Sequence, residues 1–114
     1  MSVKDLLQEI IKTDGVEDAL IVGRDGFVIE HVGQLQADMI GVAVSTVIGS
    51  VEAMGRTTTK GNLFEVMAEF DEGTIIAAPV GPDAVLGVTS KQGGNLGAIR
   101  FAVKKNIEPL KRLL

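Results

Sequence analysis

The sequence predicts a single α/β domain of order α-ββ-α-βββ-α, a five-stranded, mainly antiparallel sheet with helices on both faces. Three observations carry this. Apolar residues recur with helical period over residues 3–11, 38–56 and 96–114. Five short β-branched or apolar runs lie between them, joined within each group by hairpin-length connections that force antiparallel neighbours. The runs at 74–80 and 85–91 are apolar at nearly every position, which demands cover on both faces. At 114 residues and 46% apolar, the chain suits one domain and can bury a core unaided.

The elements follow in order. Ser2 and Asp5 form a capping-box variant, and Val3, Leu6, Leu7, Ile10 and Ile11 make one helical face that Asp14-Gly15 ends. Asp18–Gly23 and Phe27–His31 flank Arg24-Asp25-Gly26, a hairpin signal because Asp and Gly tolerate positive φ. Asp38 reads as the N-cap of the second helix. Its Ile40, Val44, Val47, Ile48, Val51 and Met54 fall on one side, facing the sheet. Strands are expected at Asn62–Phe70, Thr74–Val80 and Val85–Lys91. Asn95 caps a last helix with the stripe Leu96, Ile99, Val103, Ile107 and Leu110, which Pro109 should kink or end.

Composition removes most chemistry. With no Cys and one His, a disulfide framework, a Cys-ligated metal site and a thiol nucleophile are excluded, and a His-based metal site or triad is disfavoured. No cofactor is expected. Fifteen acids against 11 bases give a net charge of −4, which argues against nucleic acid. No basic-then-apolar leader opens the chain, so a cytoplasmic location is expected. Met39–Val51 carries no charge over 13 residues, too short to span a bilayer, so no membrane insertion is expected.

The individual motifs are weak. Gly93-Gly94-Asn95-Leu96-Gly97 could hold phosphate at a helix N-terminus, but its spacing fits neither a dinucleotide fingerprint nor a Walker A loop. A glycine turn is the simpler reading. His31 is expected to face solvent, since its neighbour Glu30 points to the other side of the strand. Ser45 and Ser50 lack a base, and Thr57–Gly61 reads as a polar connection. Arg100, Lys104, Lys105, Lys111 and Arg112 make the last helix basic, most simply as a solvated face.

The second helix is the most informative element. Opposite its sheet-facing stripe a monomer would place charge. Met39, Val42, Ala43, Thr46, Gly49, Ser50 and Ala53 stand there instead. Gly41, Ser45 and Gly49 recur every four residues, so a second backbone could approach closely, and helix-interior Gly costs about 1 kcal/mol relative to Ala. The third strand adds to this. It alternates Phe64, Val66, Ala68 and Phe70 with Leu63, Glu65, Met67 and Glu69, and lacks the proline that would guard an exposed edge. Pairing both elements with a second copy about a twofold axis would bury them, so a homodimer is expected.

The chain resembles the roadblock/dynein light-chain family, including its MglB-like small GTPase regulators. The likeness rests on Gly15-Val16-Glu17-Asp18-Ala19-Leu20-Ile21-Val22, on Arg24-Asp25-Gly26 followed by Phe27, and on Asn95-Leu96-Gly97-x-Ile99-Arg100. The resemblance implies a roadblock/profilin-like fold and a noncatalytic homodimer joined through the third strands and second helices. It further implies a Ras-like small GTPase as partner, with activation by positioning the GTPase's own groups. Neither Arg24 nor Arg56 is therefore assigned as an arginine finger. A structural light-chain-like adaptor and, at greater distance, a small-ligand or nucleotide sensor are the alternatives.

Overall fold

The computed structural model describes residues 1–114. It contains α1 (Val3–Ile11), β1 (Val16–Gly23), β2 (Val28–Val32), α2 (Ala37–Thr57), β3 (Val66–Phe70), β4 (Gly73–Val80), β5 (Ala84–Lys91) and α3 (Leu96–Leu113). The strands form one antiparallel sheet in the order β2-β1-β5-β4-β3. The expected α/β class, strand number and two-sided cover are all present.

Local chemistry sets the element ends. Ser2 Oγ accepts the Asp5 N–H at 3.1 Å and Asp5 accepts the Ser2 N–H at 2.9 Å, so the capping box is reciprocal. These bonds, the Ser2 N–H foremost, hold the Asp5 carboxyl below its usual range. The β1–β2 hairpin turns at Gly26, whose φ of 90° suits glycine, and the Asp25 carboxylate accepts the Phe27 N–H at 3.0 Å. Asn95 caps α3 by accepting the Ala98 N–H at 3.0 Å.

The sheet separates two cores. Leu6, Leu7 and Ile10 of α1 and Ile99, Val103 and Leu110 of α3 pack on one face against Ala19, Ile21, Ile76, Leu86 and Val88. Val44 and Ile48 of α2 cover Leu20, Val22, Ala77 and Val85 on the other. Each core residue is nearly or wholly sealed from water, and burial of this kind is worth about 1.5–3 kcal/mol for a large aliphatic side chain.

Several expectations need correction. Helix α2 starts at Ala37 with Gln36 as a cap that makes no side-chain bond, so Asp38 is not the N-cap. It sits in the first turn, where its charge complements the helix dipole. Strand β3 is shorter than expected, because regular pairing begins only at Val66 opposite Ala77. In the same register Phe64 would face Pro79, which has no N–H to give a ladder. Pro109 does not end α3, which continues to Leu113. Only one late backbone bond is lost there, and Leu110, fully buried, anchors the turn. Helix α2 also has 21 residues, with an 18-residue window of mean hydropathy 1.4. By length and composition it could cross a bilayer, although one stripe of it is packed on the sheet.

Candidate functional site

Helix α2 lies over β1, β2, β4 and β5. Only Gly41, Val44, Ser45 and Ile48 are buried beneath it. Gly41 is there by necessity, since a Cβ would stand 2.9 Å from Val22 Cγ1 and 3.0 Å from the Gly26 carbonyl oxygen. Gly41 and Ser45 therefore do not belong to the outward face on which the sequence reading grouped them with Gly49. They are the points where α2 meets its own sheet. At Gly49 a Cβ would meet nothing within 4 Å.

The remaining surface of α2 is open on two sides. Met39, Val42, Ala43, Thr46, Gly49, Ser50 and Ala53 are exposed on the side away from the sheet, Met39 by 76% and Val42 by 56%. Ile40 packs on the sheet-side core as expected, half-buried at its margin, but Val47 and Met54, which follow it at intervals of about two helical turns, lie along an open flank instead. Val47 is 41% and Met54 60% exposed. This flank looks toward the β3 edge. Ile40 shares a cleft of about 600 Å³ with Phe70 and Ile75. Val51 and Met54 share one of about 790 Å³ with Leu63 and Phe64.

Strand β3 presents two different faces. Met67 packs into the core beneath α1 and α3. Glu65 is on that same side, where its Oε2 accepts from Arg100 Nε at 3.1 Å. Glu69 shares this side by alternation and is exposed, while Leu63 packs instead against the α2 core. Val66, Ala68 and Phe70 alternate toward α2, and Phe70 is 61% exposed. The large exposed apolar side chains of this edge are Phe64 and Phe70, 82% and 61% exposed, while of Leu63, Glu65, Met67 and Glu69 only Glu69 is fully exposed. β3 is nonetheless a sheet edge, and residues 61–65 before it make no backbone–backbone bond.

Two polar anchors frame this region. Arg24, at the β1–β2 turn, grips Glu52 of α2 with both terminal nitrogens, at 2.5 and 3.1 Å. The hydrogen bond holds the Glu52 carboxyl below its usual value and the Arg24 guanidinium above its own, against the opposing effect of burial. Asp18, 3% exposed, is the second anchor. Its Oδ1 accepts from the Leu35 N–H at 3.1 Å and contacts His31 Nε2 at 3.0 Å, and its Oδ2 accepts from Thr89 at 3.1 Å. His31 therefore does not face solvent: β2 aims it inward onto β1, and the cluster fastens the segment leading into α2. Glu30 bonds the His31 backbone N–H and not its ring. No motif signals this cluster, because its members lie far apart in the chain.

In the glycine run before α3 only Gly94 is closely packed, and a Cβ on Gly93 would meet nothing within 4 Å. A Cβ on Gly94 would lie 3.1 Å from Gly15 Cα and 3.3 Å from the Asp14 carbonyl oxygen. The Thr57, Thr58 and Thr59 hydroxyls bond backbone carbonyls of α2 and its exit. On α3, Arg100, Lys105 and Lys111 pair with Glu65, Glu9 and Glu108, which leaves Lys104 and Arg112 outside ion pairs. No group of three or more His, Cys, Asp or Glu is placed to hold a metal.

Comparison with known proteins agrees with this architecture. The chain is 30% identical over 110 residues to the uncharacterized protein MJ1340 of Methanocaldococcus jannaschii, covering 95% of this chain and 96% of that one. It superposes on a Roadblock/LC7 domain from Streptomyces avermitilis with a TM-score of 0.90 at 16% identity, covering 98% and 97% of the two chains. The gliding protein MglB of Thermus thermophilus matches with a TM-score of 0.88 at 21% identity, covering 96% and 86%. Residues 2–90, from the capping box of α1 to the end of β5, match the Roadblock/LC7 domain model, and with the strand order and helix placement described above this makes the chain a member of the Roadblock/LC7 domain family.

Proposed function

We propose that this chain is a noncatalytic homodimeric regulator or scaffold that binds a Ras-like small GTPase. The observation that carries the reading is that α2 has two open apolar surfaces, a flank and an outer face. In this reading a second copy covers the flank. Joining two sheets through β3 places the two α2 helices side by side above the shared sheet, with Ile40, Val47 and Met54 along the seam and Phe70 beneath it. The outer faces then remain exposed and run together into one uncharged platform that carries Met39 and Val42. That platform is the surface for the GTPase, the partner class implied by the family resemblance. No side chain is assigned a catalytic role in this reading: the one histidine is tied to Asp18, and Arg24 is tied to Glu52.

The test is titration with a Ras-like GTPase of the same organism, loaded with a non-hydrolysable GTP analogue. Saturable binding is expected, and Val42→Glu on the outer face should weaken it at least tenfold while leaving self-association intact. No binding to the GTPase in either nucleotide state, by a protein that still dimerises, would remove the GTPase from the reading.

A further inference from the structure

The sheet divides the charge of the molecule as it divides the core, and we propose that the outer face of the α1–α3 layer is a docking surface for an anionic lipid bilayer. This face lies on the opposite side of the sheet from α2 and needs neither the dimer nor the GTPase proposed above. The chain would lie on the bilayer through it, with no segment crossing.

Residues 1–13 and 95–114, the two helices with their caps, hold seven bases against three acids, a formal +4. Residues 14–94 hold four bases against twelve acids, a formal −8. The net charge of −4 thus hides one basic side, and long-range attraction depends on that side rather than on the total. Lys4, Lys12, Lys104 and Arg112 are exposed and in no ion pair. Arg100, Lys105 and Lys111 pair with Glu65, Glu9 and Glu108 through exposed basic side chains, and such surface pairs hold their partners weakly.

The free bases stand on the outer crests of the two helices. On α1, Lys4, Gln8 and Lys12 are exposed at four-residue spacing, opposite buried Leu6, Leu7 and Ile10. On α3, Phe101, Lys104, Lys105, Glu108 and Arg112 share the side opposite buried Ile99, Val103, Asn106 and Leu110. The Glu9–Lys105 pair, 3.0 Å long, joins the crests into one surface. Phe101 is 68% exposed among the bases of α3. A basic face serving only solubility needs no aromatic ring there, whereas bases around an outward apolar ring are the pattern of a helix lying at a bilayer interface. A folded acidic protein would have to match the spacing of bases on two helices. Anionic headgroups move laterally and meet them all.

Co-sedimentation of the full chain with vesicles tests this, using phosphatidylcholine alone and phosphatidylcholine with about 30% phosphatidylserine. Binding to the phosphatidylserine vesicles should be at least tenfold tighter than to phosphatidylcholine at about 0.1 M NaCl and largely lost at about 0.5 M, where surface charge is screened. Each base near an anionic bilayer is worth about fivefold in partition, so Lys104→Glu with Arg112→Glu should weaken binding more than tenfold. Arg56→Glu with Lys60→Glu changes the total charge equally from the far side of the sheet and should leave binding within about twofold of wild type. Phe101→Ala should weaken binding about threefold to tenfold. Thermal unfolding checks that each variant keeps its fold. No binding to phosphatidylserine vesicles by the wild type, or equal losses from the two charge-reversed pairs, would overturn the proposal. Tighter capture by soluble polyglutamate than by vesicles, with Phe101→Ala indifferent, would overturn it in favour of an acidic protein.

Discussion

Arg24 at the β1–β2 turn and Glu52 in α2, 28 positions apart in the chain, are joined by two hydrogen bonds at 2.5 and 3.1 Å. The pair ties the first hairpin to the C-terminal half of the helix that carries the candidate interface. Its side chains are 31% and 25% exposed, so it is partly shielded from solvent. Arg24 is also held by its backbone, donating its N–H to the Asp83 carbonyl at 3.1 Å.

A double-mutant cycle with Arg24→Ala and Glu52→Gln should return a coupling of about 1 kcal/mol, the range of a bidentate, partly shielded pair. The sign with pH follows from Glu52. Its carboxyl titrates lower in the fold than the ordinary 4.5 because Arg24 bonds it. The pair's contribution is therefore complete above about pH 4.5 and is lost as pH falls through the lower folded value. Urea titrations from pH 3 to 7 should show that loss in the wild type and a smaller one in Glu52→Gln.

Asp18 is a buried carboxylate that needs its donors. Asp18→Ala should cost about 3 kcal/mol, because Thr89, His31 and the Leu35 N–H lose their acceptor together. Asp18→Asn keeps the shape and should cost less. His31→Ala should cost about 1–2 kcal/mol. Urea denaturation gives all three, and amide exchange at Leu35 should rise most in the alanine variant at 18.

The glycines divide by what a Cβ would meet. Gly15 has φ of 90° and its Cβ would lie 2.5 Å from Gly94 Cα, so Gly15→Ala should destabilise by more than about 2 kcal/mol. Gly41→Ala presses on Val22 and the Gly26 carbonyl and should also destabilise. Gly49→Ala has open space in an exposed helix interior and should raise the thermal midpoint, by about 0.5–1 kcal/mol of stability. Thermal unfolding of the three variants orders them.

What could be read from the sequence was what neighbours in the chain decide. The Ser2–Asp5 box, the Asp25-Gly26 turn and the Asn95 cap each act within a few residues, and each stands where the pattern placed it. Distant pairings were hidden. His31 meets Asp18 only because β2 folds onto β1, and the regular part of β3 starts late because Pro79 would face Phe64. Helix α2 shows the limit most clearly. Period told which residues share a side, but not how far the sheet extends below them. The sheet stops at β3, so Val47 and Met54, grouped with Val44 and Ile48 by angle, overhang the edge. The outer face from Met39 to Ala53 was legible because uncharged residues at such positions need no partner to be noticed.

Self-association through the α2 flank is tested most directly by sedimentation equilibrium of the wild type beside Val47→Glu. Val47 is 41% exposed in the single chain, so the variant should keep its fold and its unfolding midpoint within about 0.5 kcal/mol. The wild type should be a dimer at micromolar concentration and Val47→Glu a monomer at least a hundredfold higher. A monomeric wild type, or a Val47→Glu chain that dimerises as tightly as the wild type, would contradict the seam.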